Sequence, residues 1–544
     1  MSLVSDATAA GDSSEVVELT ALLAQLRAQH SADTQRIEKL ERDCFEYQKL
    51  VRLLQEANEK LKRGLLGQKA ERLPTDTRQL SLALLKMALG EEASRETLEQ
   101  ETKQRVAEHE RRKPVRKPLP EHLPRVPIEI IPEEVKREGL DAFERIGQER
   151  REVLERRPSS TVVVELIYPK YVRKGRDRTE ATKVSMAAAV ELPIERGVAG
   201  PGMLADTIIR RWEDHQPLNH LEAVYAREGL DLAKSTLCNW HEMLGELAAP
   251  LVDAMFADAY SAPYLCVDAT GVLVQAPERC KNGHFWVLVA PGKHVLYRFS
   301  DRHDSAAVDA LLEGYKGYLV ADAHVVYNHL YADGGIIEVG CWAHTRRYFF
   351  ASVESDPHRA KHALGVISAL FRIERSVAGA PRKKKEAVRN SKSRPIVQQF
   401  FEWCTIEQDV VLDESPISKA IGYALNQQAA LERFLSDGRL PMENNISELH
   451  LRREVVGRKR WLFVGSSDAA GVNTIFVTLL ASARLNGIEP LGYLRDLFIL
   501  LPSWPRHRVL ELAPAFWQQT LEQPETQQKL AANVFRRILL DLPA

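Results

Sequence analysis

Five apolar stretches decide the architecture: PYLCVDATGVLVQ (263–275), HFWVLVA (284–290), HVLYRFS (294–300), GYLVADA (317–323) and IIEVGCW (336–342). The first three follow one another across short polar turns. Helical spacing then intervenes, from Ser305 before the fourth stretch and from His324 before the fifth. Three consecutive strands followed by alternating helices and strands predict a mixed sheet with helices on both faces, the order of an RNase H-like α/β core. Two acids stand out in it. Asp268 lies inside the first stretch and Asp322 ends the fourth. An ionised carboxylate in an apolar run is strongly disfavoured unless it is paired or binds a metal. Each Asp alone fits a salt-bridged structural residue as well as a ligand; the pair, one on the first strand and one closing the fourth, is more specific.

Outward from this core the reading is multidomain α+β. Within a first domain at residues 1–66, one heptad register runs from Val16 to Leu65, with Val16, Leu23, Ile37, Val51 and Leu65 among the a positions and Leu19, Leu26, Leu40, Leu54 and Leu61 among the d positions. Such a seam buries only against another helix, which predicts a coiled-coil dimer; a long helix packed on its own protein is the alternative. Asn58, at an a position, favours a parallel pairing. Residues 67–125 read as short helices and a basic linker whose prolines forbid a stable helix. Residues 126–200 hold β-branched alternation, notably 161–171 before a Lys174-Gly175-Arg176 turn, and form a small β unit. Residues 201–258 read as a helix-turn-helix-like DNA-binding unit, with Gly229 closing one helix and Ser235 or Thr236 capping the next. The RNase H-like core then occupies 259–345 and 437–500, interrupted by an α-helical insertion at 346–436, and 501–544 is a helical tail.

The chain has 544 residues, and its 74 Lys and Arg against 75 Asp and Glu leave a formal net charge of −1, so the total does not announce a nucleic-acid binder. The distribution does, with basic runs at 111–125, 382–394 and 452–460. Six dispersed cysteines without a C-x-x-C pair fit reduced thiols in a cytoplasmic protein. No apolar run approaches the ~20 residues that cross a bilayer, so no membrane partner is expected.

The motifs VDATG (267–271), LVADAHVVYNHLY (319–331), EVGCWAHTRRYF (338–349), DGRLPMENNISELHLR (437–452), VGRKRWLFVGS (456–466) and LLASARLNGIEPLGYLRDL (479–497) together resemble the transposase of insertion sequence 66 and its relatives. The similarity extends upstream through LGQKAERL (66–73), RKPLPEHLPR (116–125) and PIERGVAGPGMLA (193–205). The resemblance implies a DNA transposase that binds transposon ends and catalyses metal-dependent strand cleavage and strand transfer. It implies an acidic triad of Asp268, Asp322 and Glu448, holding two Mg²⁺ (or Mn²⁺) ions about 3.5 to 4 Å apart. Its partners would be DNA, further copies of itself through the coiled coil, and small accessory proteins, in a nucleoid-associated bacterial setting. The same likeness identifies Cys341 and His344 with the C-x-x-H that opens the insertion in related enzymes. One Cys and one His cannot complete a tetrahedral zinc site, so a docking role is expected of them. Glu448 has a local competitor: Asn445 three residues before it resembles a capping box, and Glu443 is a second acid nearby.

DNA contacts are expected from Arg111, Arg112, Lys113, Arg116, Lys117, Arg346, Arg347, Arg452, Arg453, Arg458, Lys459 and Arg460. Trp461 either stacks a base or belongs to the core, because LFV follows it. The chain departs from the family at Ala269, where Glu is usual, and at Leu449, where Arg is usual. It also lacks the two Cys pairs of the family's zinc ribbon, the corresponding stretches reading PEEVKREG and VRKGRDR, so no zinc is expected. These departures keep a second reading open, a catalytically silent DNA-binding regulator derived from a transposase.

Overall fold

The computed structural model describes a few residues between 27 and 37 and residues 119–541, except 120, 122, 158, 159, 175–183 and 333. Most of the coiled-coil register, with Asn58, and the basic residues Arg111, Arg112, Lys113, Arg116 and Lys117 lie outside the described residues. The described chain falls into two compact units, one containing Thr345–Ala369 and Gln398–Leu425, the other drawing on Lys113–His344, Leu370–Val397 and Asn426–Ala544.

The larger unit holds two sheets. In the first, β1 (Arg125–Glu129) runs parallel to β3 (Ser160–Arg173), which pairs antiparallel with β2 (Phe143–Arg157) and with the short β4 (Ser185–Met186). β3 is buried on both faces, because Val162, Val164, Leu166 and Tyr168 meet one cluster while Tyr171 packs with Val135 and Phe143 in another. The first of these clusters is completed by Phe535 and Ile538 from the helix Val534–Asp541, so the end of the chain packs on this sheet.

The second sheet has the order β7-β6-β5-β8-β9, with β10 added beside β5. Its strands are β5 (Tyr264–Val274), β6 (Lys281–Ala290), β7 (His294–Ser300), β8 (Gly317–Val320), β9 (Ile336–Val339) and β10 (Phe463–Val464). β5, β6 and β7 pair antiparallel in sequence, whereas β8 and β9 run parallel to β5. The first three strands form a meander joined by tight turns. Parallel pairing then requires a crossover, supplied before β8 by the helix α1 (Ser305–Leu312). The outer edge of β7 is not left as an open template. On α2 (Ser467–Leu485), the Ser482 hydroxyl accepts from Val295 N at 3.0 Å and donates back to its carbonyl, and the Thr478 hydroxyl accepts from Tyr297 N at 2.9 Å.

Two expected caps are corrected by tertiary contacts. The helix Lys234–Ala259 starts with Ala233 at its cap and no side-chain cap bond, so neither Ser235 nor Thr236 caps it. Its Leu237, Trp240 and His241 are buried, which turns this stretch towards the protein. Likewise Asn444, not Asn445, holds the cap position of α3 (Asn445–Trp461). The stretch between β9 and α3 is helical, as the spacing predicts: Pro357–Ser376, Arg382–Val388, Arg394–Gln408 and Pro416–Asn426. Within the smaller unit Phe349 packs edge-on against Phe400, and Arg359 joins Asp356 to Glu407.

Candidate active site

Strand pairing sets the segments of the two aspartates side by side. β5 and β8 are neighbours and parallel, and their last aligned pair is Cys266 with Val320. Two residues on from that pair stand Asp268, inside β5, and Asp322, two residues past the end of β8. The side-chain period of a strand is two, so Asp268 projects to the same face of the sheet as Cys266. Beneath them lies Tyr327, a buried phenol pushed well above its ordinary value first by burial and then by the charges of Asp322 and Asp268.

Glu448, expected as the third acid, lies on α3. Asn444, fully buried at the helix start, donates from Nδ2 to the Val267 carbonyl at 2.9 Å, just where the β5–β8 ladder ends. Its backbone N–H is received by Cys341 Sγ at 3.2 Å, and burial holds that thiol above its ordinary range. Next to it, Trp342 N donates to the Met442 carbonyl. His344 lies with Nε2 3.6 Å from Glu448 Oε1. Cys341 and His344 thus both act on the segment that carries Glu448, one through the loop before it and one at the carboxylate. Glu448 sits in the first turn of α3, where carboxylates suit the free N–H groups. Glu443 precedes the helix; burial, together with the charge of Glu448, raises its carboxyl against an opposing hydrogen bond from Asn445.

Three carboxylates are hard oxygen donors of the kind that magnesium or manganese takes, so the chemistry of the set fits such an ion. Among the described residues no group of three or more His, Cys, Asp or Glu side chains is drawn close enough to enclose one as it stands.

The basic residues separate into two groups. Arg346, Arg347, Arg452, Lys459 and Arg460 are exposed. Arg453 pairs with Glu213, and Arg458 donates to Thr270 Oγ1 at 3.0 Å and to the Gly271 carbonyl, so both fasten α3 to its surroundings. Trp461 is in a core cluster with Val272, Val274 and Phe285. In the run 382–394, Arg389 is buried and bridges Glu374 to the carbonyls of Phe434, Asp437 and Leu440.

Sequence reasoning passed over Asn444 and Tyr327 as working parts. It also missed a row of rings near Asp322, in which His303 stacks on Trp286 at 5.1 Å and lies 4.6 Å from His284 and 5.0 Å from His324. The only local signal for Asn444 is its place beside Asn445; its partners are 103 and 177 residues away.

The sequence matches known families and proteins. The family described as Transposase IS66 family matches residues 196–471, the IS66 C-terminal element matches 478–515, and a segment described as Transposase C of IS166 homeodomain matches 53–128. Three Sinorhizobium fredii proteins, each described as uncharacterized, are similar over most of their length. The protein y4hP is 29% identical over 85% of this chain and 88% of its own, y4qI is 31% identical over 74% and 78%, and y4jD is 25% identical over 74% and 81%. The first family match spans the helical unit before β5, both aspartates, the helical insertion and Glu448.

Proposed function

Because the chain belongs to the IS66 transposase family, we propose that it is a metal-dependent DNA strand-cleaving and strand-joining enzyme whose acidic triad is Asp268, Asp322 and Glu448. What supports this reading is the adjacency of the segments that carry the acids: Asp268 lies inside β5, Asp322 lies two residues past the end of the neighbouring parallel β8, and the helix start before Glu448 is hydrogen-bonded to the residue before Asp268. The sheet order β7-β6-β5-β8-β9, an antiparallel meander followed by parallel strands, supports an RNase H-like core.

Asp268, Asp322 and Glu448 would hold Mg²⁺ or Mn²⁺, which when bound supplies charge stabilisation to the attacking and leaving oxygens of an in-line phosphoryl displacement. The chain's own part is placement. Asp268 is held within β5, Asp322 follows directly on β8, and the segment of Glu448 is held by the Asn444 and Cys341 contacts. In the first step a water oxygen bonds to phosphorus, the bond to the 3′ oxygen breaks, and that oxygen leaves as a 3′-OH. In the second, this hydroxyl attacks a target phosphate and displaces another 3′ oxygen, so no covalent protein intermediate forms. The exposed Arg346, Arg347, Arg452, Lys459 and Arg460 suit contact with DNA phosphates.

The test is Mg²⁺-dependent cleavage of duplex DNA bearing the element's terminal repeats by the full-length chain. Asp322→Asn and Glu448→Gln should retain DNA binding and lose cleavage, while Glu443→Gln should cleave nearly as wild type. Full cleavage by Glu448→Gln, or loss confined to Glu443→Gln, overturns the assignment of the third acid. Binding without cleavage by the wild-type chain returns the regulator reading.

A further inference from the structure

The face that α3 turns to solvent inverts the usual sorting of side chains. Ser447 and Glu454 are buried against the protein, while Leu449 is 57% and Val456 45% exposed. A single exposed aliphatic side chain asks for no explanation. These two stand seven residues apart, about two helical turns along one stripe. The exposed Arg452, Lys459 and Arg460 share that side: at about 100° per residue, all five positions fall within an arc of about 100°.

Charge on this face is of one sign. The neighbouring Arg453 and Arg458 are taken up by Glu213 and β5, but among the described residues Arg452, Lys459 and Arg460 form no ion pair and no side-chain hydrogen bond. No acid falls within the arc, and the one bordering it is Glu448 in the first turn. The helix Lys234–Ala259, where a recognition helix was expected, offers a contrast. It buries Leu237, Trp240 and His241 and keeps Glu242 and Glu246 among its exposed residues, which oppose a phosphate backbone.

Position ties the cationic face to the acid. Leu449 adjoins Glu448, and Val456 lies eight residues beyond it, about 12 Å at 1.5 Å per residue. Cations grip a duplex without reading it, whereas aliphatic side chains distinguish the base pair that presents a thymine methyl in the major groove. That groove, about 12 Å wide, admits a helix.

We propose that the exposed face of α3 reads the duplex beside the cut, with Arg452, Lys459 and Arg460 on phosphates of the groove walls and Leu449 and Val456 each against a thymine methyl. Seven helical residues span about 10 Å, so the two thymines lie about three base steps apart at about 3.4 Å per step. The proposal rests on the reading of Asp268, Asp322 and Glu448 as the site of DNA cleavage.

The experiment gives the full-length chain and Mg²⁺ a pool of duplexes carrying the element's terminal repeat, with the base pairs on either side of the cut randomised, and sequences the products of partial cleavage. Thymine should be enriched about fourfold at two positions about three steps apart, the scale of one buried methyl group. Uracil, which lacks only that methyl, should lose the advantage. Leu449→Ala should remove the preference at one position and Val456→Ala at the other; both side chains are exposed, and Ala suits a helix. Lys459→Gln should instead weaken binding to every sequence alike and reduce the slope of log affinity against log salt by about 1. Cleavage by the wild-type chain without a thymine preference overturns the proposal, as does a preference that uracil retains or that survives both alanine substitutions. Failure to cleave any member of the pool refutes the DNA-cutting reading beneath it.

Discussion

Asn444→Ala separates holding the fold together from placing Glu448, the third acid proposed. Asn444 is fully buried, and its Nδ2 meets the Val267 carbonyl at 2.9 Å. Removing the amide strands that carbonyl inside the protein, worth about 1–3 kcal/mol. The loss is offset in part, because Asn444 Oδ1 has no partner and its removal relieves an unpaired acceptor, about 1 kcal/mol. The bond from the Asn444 backbone to Cys341 Sγ survives the change. The net loss is therefore about 0–2 kcal/mol, read as a urea midpoint lowered at most modestly with an unchanged slope. The effect on cleavage is larger. Glu448 is four residues on, and a helix start that drifts by about 1 Å lowers a rate that depends on alignment about a hundredfold. Single-turnover cleavage at a temperature where the variant is fully folded should fall by that factor. A variant that loses the stated stability yet cleaves at the wild-type rate refutes the idea that Asn444 positions Glu448. One that loses more than about 3 kcal/mol refutes this hydrogen-bond argument.

Two further outcomes follow from buried charge. Arg389→Met should lower stability by about 3–5 kcal/mol in denaturant titration, since it strands the Glu374 carboxylate and the carbonyls of Phe434, Asp437 and Leu440; a loss under about 1 kcal/mol contradicts the bridging role. Burial raises the Glu213 carboxyl, but Arg453 and Arg484 outweigh it and hold the group below its ordinary value. A depressed carboxylate contributes stability that is complete above the unfolded value of about 4.3 and is lost as pH falls through the folded one. Urea midpoints between about pH 6 and pH 3 should therefore fall more steeply for the wild-type chain than for Glu213→Gln, and parallel curves would exclude this pair as a source of acid lability.

The sheet was legible because β6 and β7 are buried for most of their length and β5 is buried through Leu265–Val267, and such stretches read as near-continuous apolar runs. The five quoted stretches each contain or overlap one observed strand, and the two aspartates are conspicuous against that background. The family was legible from motif order. What escaped is what depends on distant partners. Asn445 has the better local pattern for a cap, yet Asn444 takes the position because its side chain is drawn to Val267, 177 residues earlier. Arg389 sits in a basic run that resembles a solvated face, and only the turn of 433–440 around it makes it internal. Phe535 and Ile538 mark an amphipathic helix, but nothing near them names β3 as the surface they cover.

These distant partners converge on α3, and intrinsic propensity does not account for it. The helix includes Val455, Val456 and Gly457, residues that weaken an isolated helix. Its stability comes from anchors along its length. The His450 carbonyl accepts from Tyr297 Oη at 2.8 Å, Arg453 pairs with Glu213, and Glu454 accepts from Asn473. Further on, Arg458 reaches β5, and Trp461 closes a core cluster with residues of β5 and β6. Gly457 is required there, since a Cβ would come within 2.8 Å of the Trp461 ring nitrogen. A helix held at so many points behaves as a rod, so the direction of Glu448 is set by contacts up to its far end as well as by the first turn. Arg453 and Arg458 therefore bear on the acidic site through geometry rather than through DNA charge. Their loss should slow cleavage on every DNA sequence alike and leave the salt dependence of binding unchanged, which is the opposite of what removing an exposed phosphate contact such as Lys459 or Arg460 does.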